Sequence, residues 1–355
     1  MTKSWMRTKP FMAREARVRT DTPDTVTRLC FNENQFGPSP KATQAMLDAV
    51  AGIHIYPDYS TQYLKEKISE KLGLSPYHII TGNGSSEIIN QIGTLFAEPG
   101  SEVVFCEPSF GAYRDMADFN GAVCRTFPLD AGLRFDLDAM EKAVGEKTSI
   151  VIVCNPNNPT GTFVDADRLE AFIRRMPQDV LVVVDEAYIE YADDPACRSM
   201  LPLIEERMEN LLILRTFSKI YGLAGARVGY GIGHPSLIDE LMRSFFPFNV
   251  GSVGVAGALA ALEDDVHREY VYHGNLEGRC YLTKELRRLG CTVWDSQTSF
   301  VYFDAHMEPK VLKEAVRKYD IMIASYRYSR VSVGTMEQNR HFIEVMEKIL
   351  SGTGK

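Results

Sequence analysis

Short uninterrupted apolar runs alternate with stretches of helical period through the middle of the chain. Residues 78–81, 102–106, 150–154, 180–185, 211–216 and 228–232 read as strands. Between them, residues 85–96, 113–120 and 166–175 place apolar side chains three and four apart, as amphipathic helices do. Apolar strands alternating with helices predict an α/β fold, a mostly parallel sheet with helices on both faces. From about Glu263 the pattern changes. A long charged helix is expected over 267–289, followed by short strands at 291–294, 300–303, 321–323 and 330–333. Helices at 309–319 and 337–350 interleave with them, which reads as a compact α+β unit. The expected division is therefore an arm over 1–45 that packs with the small unit, a large unit over 46–262 and the small unit over 263–355.

Composition narrows the class. The chain has 355 residues, 45% apolar and 24% charged, within the range of ordinary globular domains. A formal charge of −8 argues against a nucleic-acid or anionic-membrane surface. The seven cysteines are scattered and never form a C-x-x-C pair, so they read as reduced core residues and not as a zinc site. The amino terminus shows charges with no apolar stretch behind them, and the weakly polar run 251–262 is too short to span a bilayer. A cytoplasmic protein is expected.

Candidate chemistry falls where strands end, the place where ligands bind in open α/β sheets. In R-T-F-S-K-I-Y-G-L-A-G-A-R-V-G (215–229) a strand is followed by Lys219, with Thr216, Ser218 and Arg227 close by. The lysine can condense with an aldehyde while the hydroxyls and the arginine hold a phosphate. One small molecule carries both groups, pyridoxal 5'-phosphate (PLP). Asp185 ends a buried strand, where a carboxylate must find a partner or neutralise; a protonated pyridine nitrogen is one such partner, an ordinary helix cap is another. The loop C-N-P-N-N-P-T-G (154–161) offers Asn158, and Tyr188 follows Asp185; both can donate to a phenolate oxygen. T-G-N-G-S-S-E (81–87) brings two glycines and the helix start at Ser85 and Ser86, which suits an anion as well as a plain N-cap. Tyr113 is either a ring stacked on a flat ligand or core. Arg330 heads an alternating strand, where its fork suits a carboxylate or phosphate.

Taken together, G-N-G-S-S-E, P-S-F-G-A-Y, N-P-N-N-P-T-G, V-V-D-E-A-Y and T-F-S-K…R-V-G resemble the fold-type I PLP-dependent aminotransferases, the histidinol-phosphate branch in particular. The resemblance runs from Phe31–Pro40 to Arg330–Thr335. It implies a seven-stranded large-domain sheet and Lys219 as the lysine linked to the cofactor. It further implies Asp185 on the pyridine nitrogen, Asn158 and Tyr188 on the 3'-oxygen, and Tyr113 stacked on the ring. Ser85, Ser86, Thr216, Ser218 and Arg227 would hold the phosphate, Arg330 and Asn34 the substrate. Tyr56 would reach the neighbouring subunit's cofactor, which implies a homodimer. The implied reaction is amino transfer from histidinol phosphate to 2-oxoglutarate, in histidine biosynthesis. Other amino acids, aromatic ones included, and a decarboxylase of threonine-phosphate type remain alternatives. The chain departs from the family pattern at Gln35, usually proline, and at Ala324, usually an arginine that grips the substrate phosphate.

Overall fold

The computed structural model describes residues 26–206 and 208–352; residues 1–25 of the expected arm lie outside the described residues. The chain enters through β1 (Thr27–Leu29). It then lays down β2 (Ile79–Gly82), β3 (Glu102–Glu107), β4 (Val123–Pro128), β5 (Thr148–Cys154), β6 (Leu181–Asp185), β7 (Leu211–Thr216) and β8 (Gly229–Gly233). These seven form one sheet in the order β2-β8-β7-β6-β5-β3-β4. The pairs from β7 to β4 are parallel, and β8 alone runs against both of its neighbours. Strands β6 and β7 are buried along their whole length, which is why they read as continuous apolar runs.

A smaller sheet follows from β9 (Thr292–Val293), β10 (Phe300–Asp304), β11 (Ile321–Ser325) and β12 (Ser329–Ser332). It takes β1 back as its outer strand, in the order β1-β11-β12-β10-β9. Each sheet has its own hydrophobic cluster. One is built on β5, β6 and β7; the other joins β10–β12 to the helices Asp265–Arg288 and Met336–Leu350 through Leu282, Leu286, Phe342 and Met346. Phe300 belongs by sequence to the small sheet but packs with the large cluster, so the two cores meet at its ring.

Two elements outside those expected from the sequence have plain causes. Strand β4 escapes the apolar pattern because it is an edge strand, half exposed and ending in Pro128. The run 251–262 is the helix Ser252–Leu262, apolar because it packs on the helix Pro40–Val50. Among the described residues no helix is long and apolar enough to cross a membrane.

The helix Ser85–Phe96 shows how the sheet positions the site. Its Ile88, Ile89 and Ile92 are buried on one side, each contributing roughly 1.5–3 kcal/mol. That burial fixes the helix against the sheet and points its first turn at the ends of β7 and β8. The parallel register places Cys154 beside Asp185, and Asp185 beside Leu214. The chemistry-bearing loops therefore start from neighbouring strand ends.

Candidate active site

Asp185 closes β6 and is 3% exposed. Its Oδ1 accepts from the Ala187 amide (3.0 Å) and its Oδ2 from the Tyr113 hydroxyl (2.7 Å). Burial raises its pKa, opposed by the Tyr113 hydrogen bond and by the charge on Lys219. The carboxylate thus lacks a full counter-charge of its own. Tyr113 is fully buried, edge-on to Phe105 and Phe110. Its hydroxyl is committed to the oxygen that a pyridinium would seek, a contact the sequence does not announce.

Lys219 lies three residues beyond the end of β7. Its Nζ donates to the carbonyl of Asn32 (3.4 Å) and stands 5.4 Å from the centre of the Tyr188 ring. Burial lowers its pKa to about 8, and the charge of Arg330 pushes the same way. Asn34 holds the backbone in place, its Nδ2 donating to the carbonyls of Lys219 (3.3 Å) and Ile220 (2.9 Å). Asn32 Nδ2 donates to the Tyr188 hydroxyl oxygen (2.9 Å), which leaves the Tyr188 O–H to donate elsewhere.

Arg330 is 3% exposed. Its NH1 donates to Asn158 Oδ1 (2.5 Å) and its NH2 to the Cys30 carbonyl (2.7 Å), while Nε is buried with no partner among the described residues. An arginine only donates, so the Asn158 oxygen faces it and the Asn158 amide N–H groups are turned away, still available as donors.

A second group of residues forms an anion cradle. Gly84 has φ +74°, and a Cβ there would lie 2.2 Å from Arg227 NH2. A Cβ on Gly229 would lie 2.2 Å from the Ser85 amide nitrogen. Both glycines are therefore required by close approach. Arg227 sits over the loop with φ +55°; its NH1 donates to Ser218 Oγ (3.3 Å) and to the Ala224 carbonyl (3.1 Å). Ser85 and Ser86 open the helix, and their N–H groups have no intrahelical acceptor. Thr216 Oγ1 accepts from the Ser218 amide (3.1 Å) and donates to the Val228 carbonyl (3.4 Å), so it shapes the loop. Guanidinium, hydroxyls and free amides around a glycine hollow fit a phosphate dianion. The Asp185 carboxylate and Lys219 amine beyond it fit a pyridine aldehyde.

One expected residue stands apart. Tyr56 is 79% exposed and stacks on Phe248 at 4.7 Å, outside this cluster. Exposed Ile53, Ile55, Tyr59 and Tyr63 accompany it. Sequence reading missed Asn32, whose carbonyl meets Lys219; a signal existed, since it lies within F-N-E-N-Q-F-G-P-S-P. Gln35 donates to the Arg28 carbonyl (3.1 Å) and accepts from Gln338 (3.3 Å), bonds that a proline could not make.

Residues 24–346 match the family model for aminotransferase class I and II, and the chain belongs to that family. It is 39% identical to the histidinol-phosphate aminotransferase of Brevibacillus brevis over 336 residues, 93% of this chain and 92% of that one. It is 40% identical to the enzyme of the same name from Methylobacillus flagellatus over 345 residues, 96% and 92% of the two chains. The crystal structure of histidinol-phosphate aminotransferase from Sinorhizobium meliloti in complex with pyridoxal-5'-phosphate superposes with a TM-score of 0.90. That match has 28% identity and covers 99% of this chain and 98% of that one.

Proposed function

We propose that this chain is a PLP-dependent aminotransferase that moves an amino group from histidinol phosphate to 2-oxoglutarate, as a cytoplasmic homodimer. The observation that carries the reading is the convergence of Lys219, Asp185 and Arg330 beyond the strand ends, next to a glycine-lined anion cradle. When bound, PLP supplies the electron sink that stabilises negative charge at the substrate Cα. The protein's own residues do the rest. Arg227, Ser218, Ser85 and Ser86 hold the phosphate. Asp185 would keep a proton on the ring nitrogen; opposite unit charges about 4 Å apart attract by about 4 kcal/mol at an effective dielectric of about 20. Asn158 and Tyr188 donate to the 3'-oxygen. Lys219, with its amine free, would take the proton from the substrate Cα as general base. Arg330 orients the substrate anion.

The homodimer rests on the apolar surface around Tyr56, Ile53, Ile55, Tyr59 and Phe246, all more than half exposed. A second reading is favoured by Ala324, the β11 residue opposite Arg330. With an alanine there, the subsite also suits the single α-carboxylate of an aromatic or other amino acid. The test is a titration of the cofactor's visible absorbance with histidinol phosphate, phenylalanine, tyrosine and threonine phosphate, with product analysis. Bleaching by histidinol phosphate with no carbon dioxide released supports the reading. Response to the unphosphorylated amino acids alone supports the second one, and carbon dioxide from threonine phosphate contradicts both.

A further inference from the structure

Arg330 sits inside a stack that runs out of the site. The Lys219 amine lies 5.4 Å from the Tyr188 ring, and the Tyr188 ring meets Phe300 edge-on at 5.2 Å. The Arg330 guanidinium carbon then lies 5.1 Å from the Phe300 centroid and 5.1 Å from the Tyr326 centroid. Tyr326 is the outermost member, 45% exposed. It stands on the tight turn between β11 and β12, where its amide donates to the Tyr328 carbonyl (2.8 Å). The same turn sends Arg327 elsewhere. Its guanidinium lies over Tyr328 and lines a groove of about 310 Å³ with Trp294, Glu107 and Asp130. The β11 position paired with Arg330 is Ala324, so no second cation comes from that strand.

We propose that Tyr326 is a specificity-determining residue for the substrate anion, holding the Arg330 guanidinium between two rings and forming the outer wall of its subsite. This rests on the reading of Arg330 as the anion anchor. The two hydrogen bonds of Arg330, to Asn158 and Cys30, fix two of its nitrogens; the rings fix its plane. The Nε is buried without a partner among the described residues, a donor that a bound anion would satisfy. Without Tyr326, the outer face of the guanidinium meets water, and both the orientation and the attraction weaken.

The experiment compares Tyr326→Phe, Tyr326→Leu and Tyr326→Ala with the unsubstituted holoenzyme. Tyr326→Phe keeps the ring and is expected to leave KM for the anionic amino donor within about twofold. Tyr326→Leu and Tyr326→Ala are expected to raise that KM about tenfold with kcat within about threefold. Cofactor affinity and the KM of a donor that lacks the anionic group, histidinol, stay unchanged. A KM unaltered in Tyr326→Ala, or an increase shared equally by histidinol, overturns the proposal. Failure of the underlying reading is separable. If Arg330→Lys leaves KM for every anionic donor unchanged, the anchor itself is wrong, whereas an intact Arg330 effect with no Tyr326 effect contradicts only the role of Tyr326.

Discussion

The cofactor end and the substrate end of the site are built by different means. The anion cradle is local. Gly84, Ser85, Ser218, Arg227 and Gly229 lie at or just beyond the ends of three adjacent strands of one sheet, β2, β8 and β7, and the backbone sets their spacing. The substrate end is assembled across the molecule. Arg330 comes from the small sheet, is held by the Cys30 carbonyl 300 residues earlier, and bonds Asn158 from the loop after β5. The cofactor phosphate, as proposed, is met by a local device, whereas the proposed substrate anchor hangs on contacts between segments far apart in sequence.

Substitutions sharpen that contrast. The largest effect is expected at Lys219, which serves both ends: Lys219→Ala abolishes turnover in a steady-state assay, while phosphate contacts keep weak cofactor binding. Asp185→Asn removes the charge opposite the ring nitrogen. Loss of about 4 kcal/mol corresponds to roughly a thousandfold fall in kcat, measurable in single turnovers. Arg330→Ala removes a charged hydrogen-bond donor worth roughly 1.5–3 kcal/mol. Its KM for the anionic substrate should rise about 10- to 100-fold with cofactor affinity intact; equal loss of both would show that the two ends do not act separately. Asn32→Ala, which frees the Tyr188 oxygen, is expected to lower kcat about fivefold, as for one neutral hydrogen bond near 1 kcal/mol.

The pH dependence follows from burial at Lys219. Only the neutral amine attacks an aldehyde, and its pKa is lowered to about 8. The rate at which apoenzyme recaptures PLP should therefore rise with pH and level off above about 8. A midpoint near 10.5, the value of an unperturbed lysine, would show that the amine is not desolvated.

Legibility in the sequence follows the same division. Lys219, Asp185, Asn158 and the 81–87 loop could be read because each follows a strand whose apolar run is continuous. Helix 85–96 was legible to the residue because its buried isoleucines keep strict helical spacing. The edge strand β4 was not, since half its side chains face water. Nor was the hydroxyl of Tyr113 on Asp185, or the ring of Phe300 under Arg330, because both depend on packing between segments 72 and 30 residues apart. Arg330 itself was legible only as a strand-start arginine with a fitting fork.

The most direct test is chemical. Holoenzyme is reduced with borohydride, digested and analysed by mass spectrometry. The account predicts a pyridoxyl group on the peptide carrying Lys219 and on no other lysine. A modification at a different lysine, or none after the protein has been supplied with PLP, would contradict it.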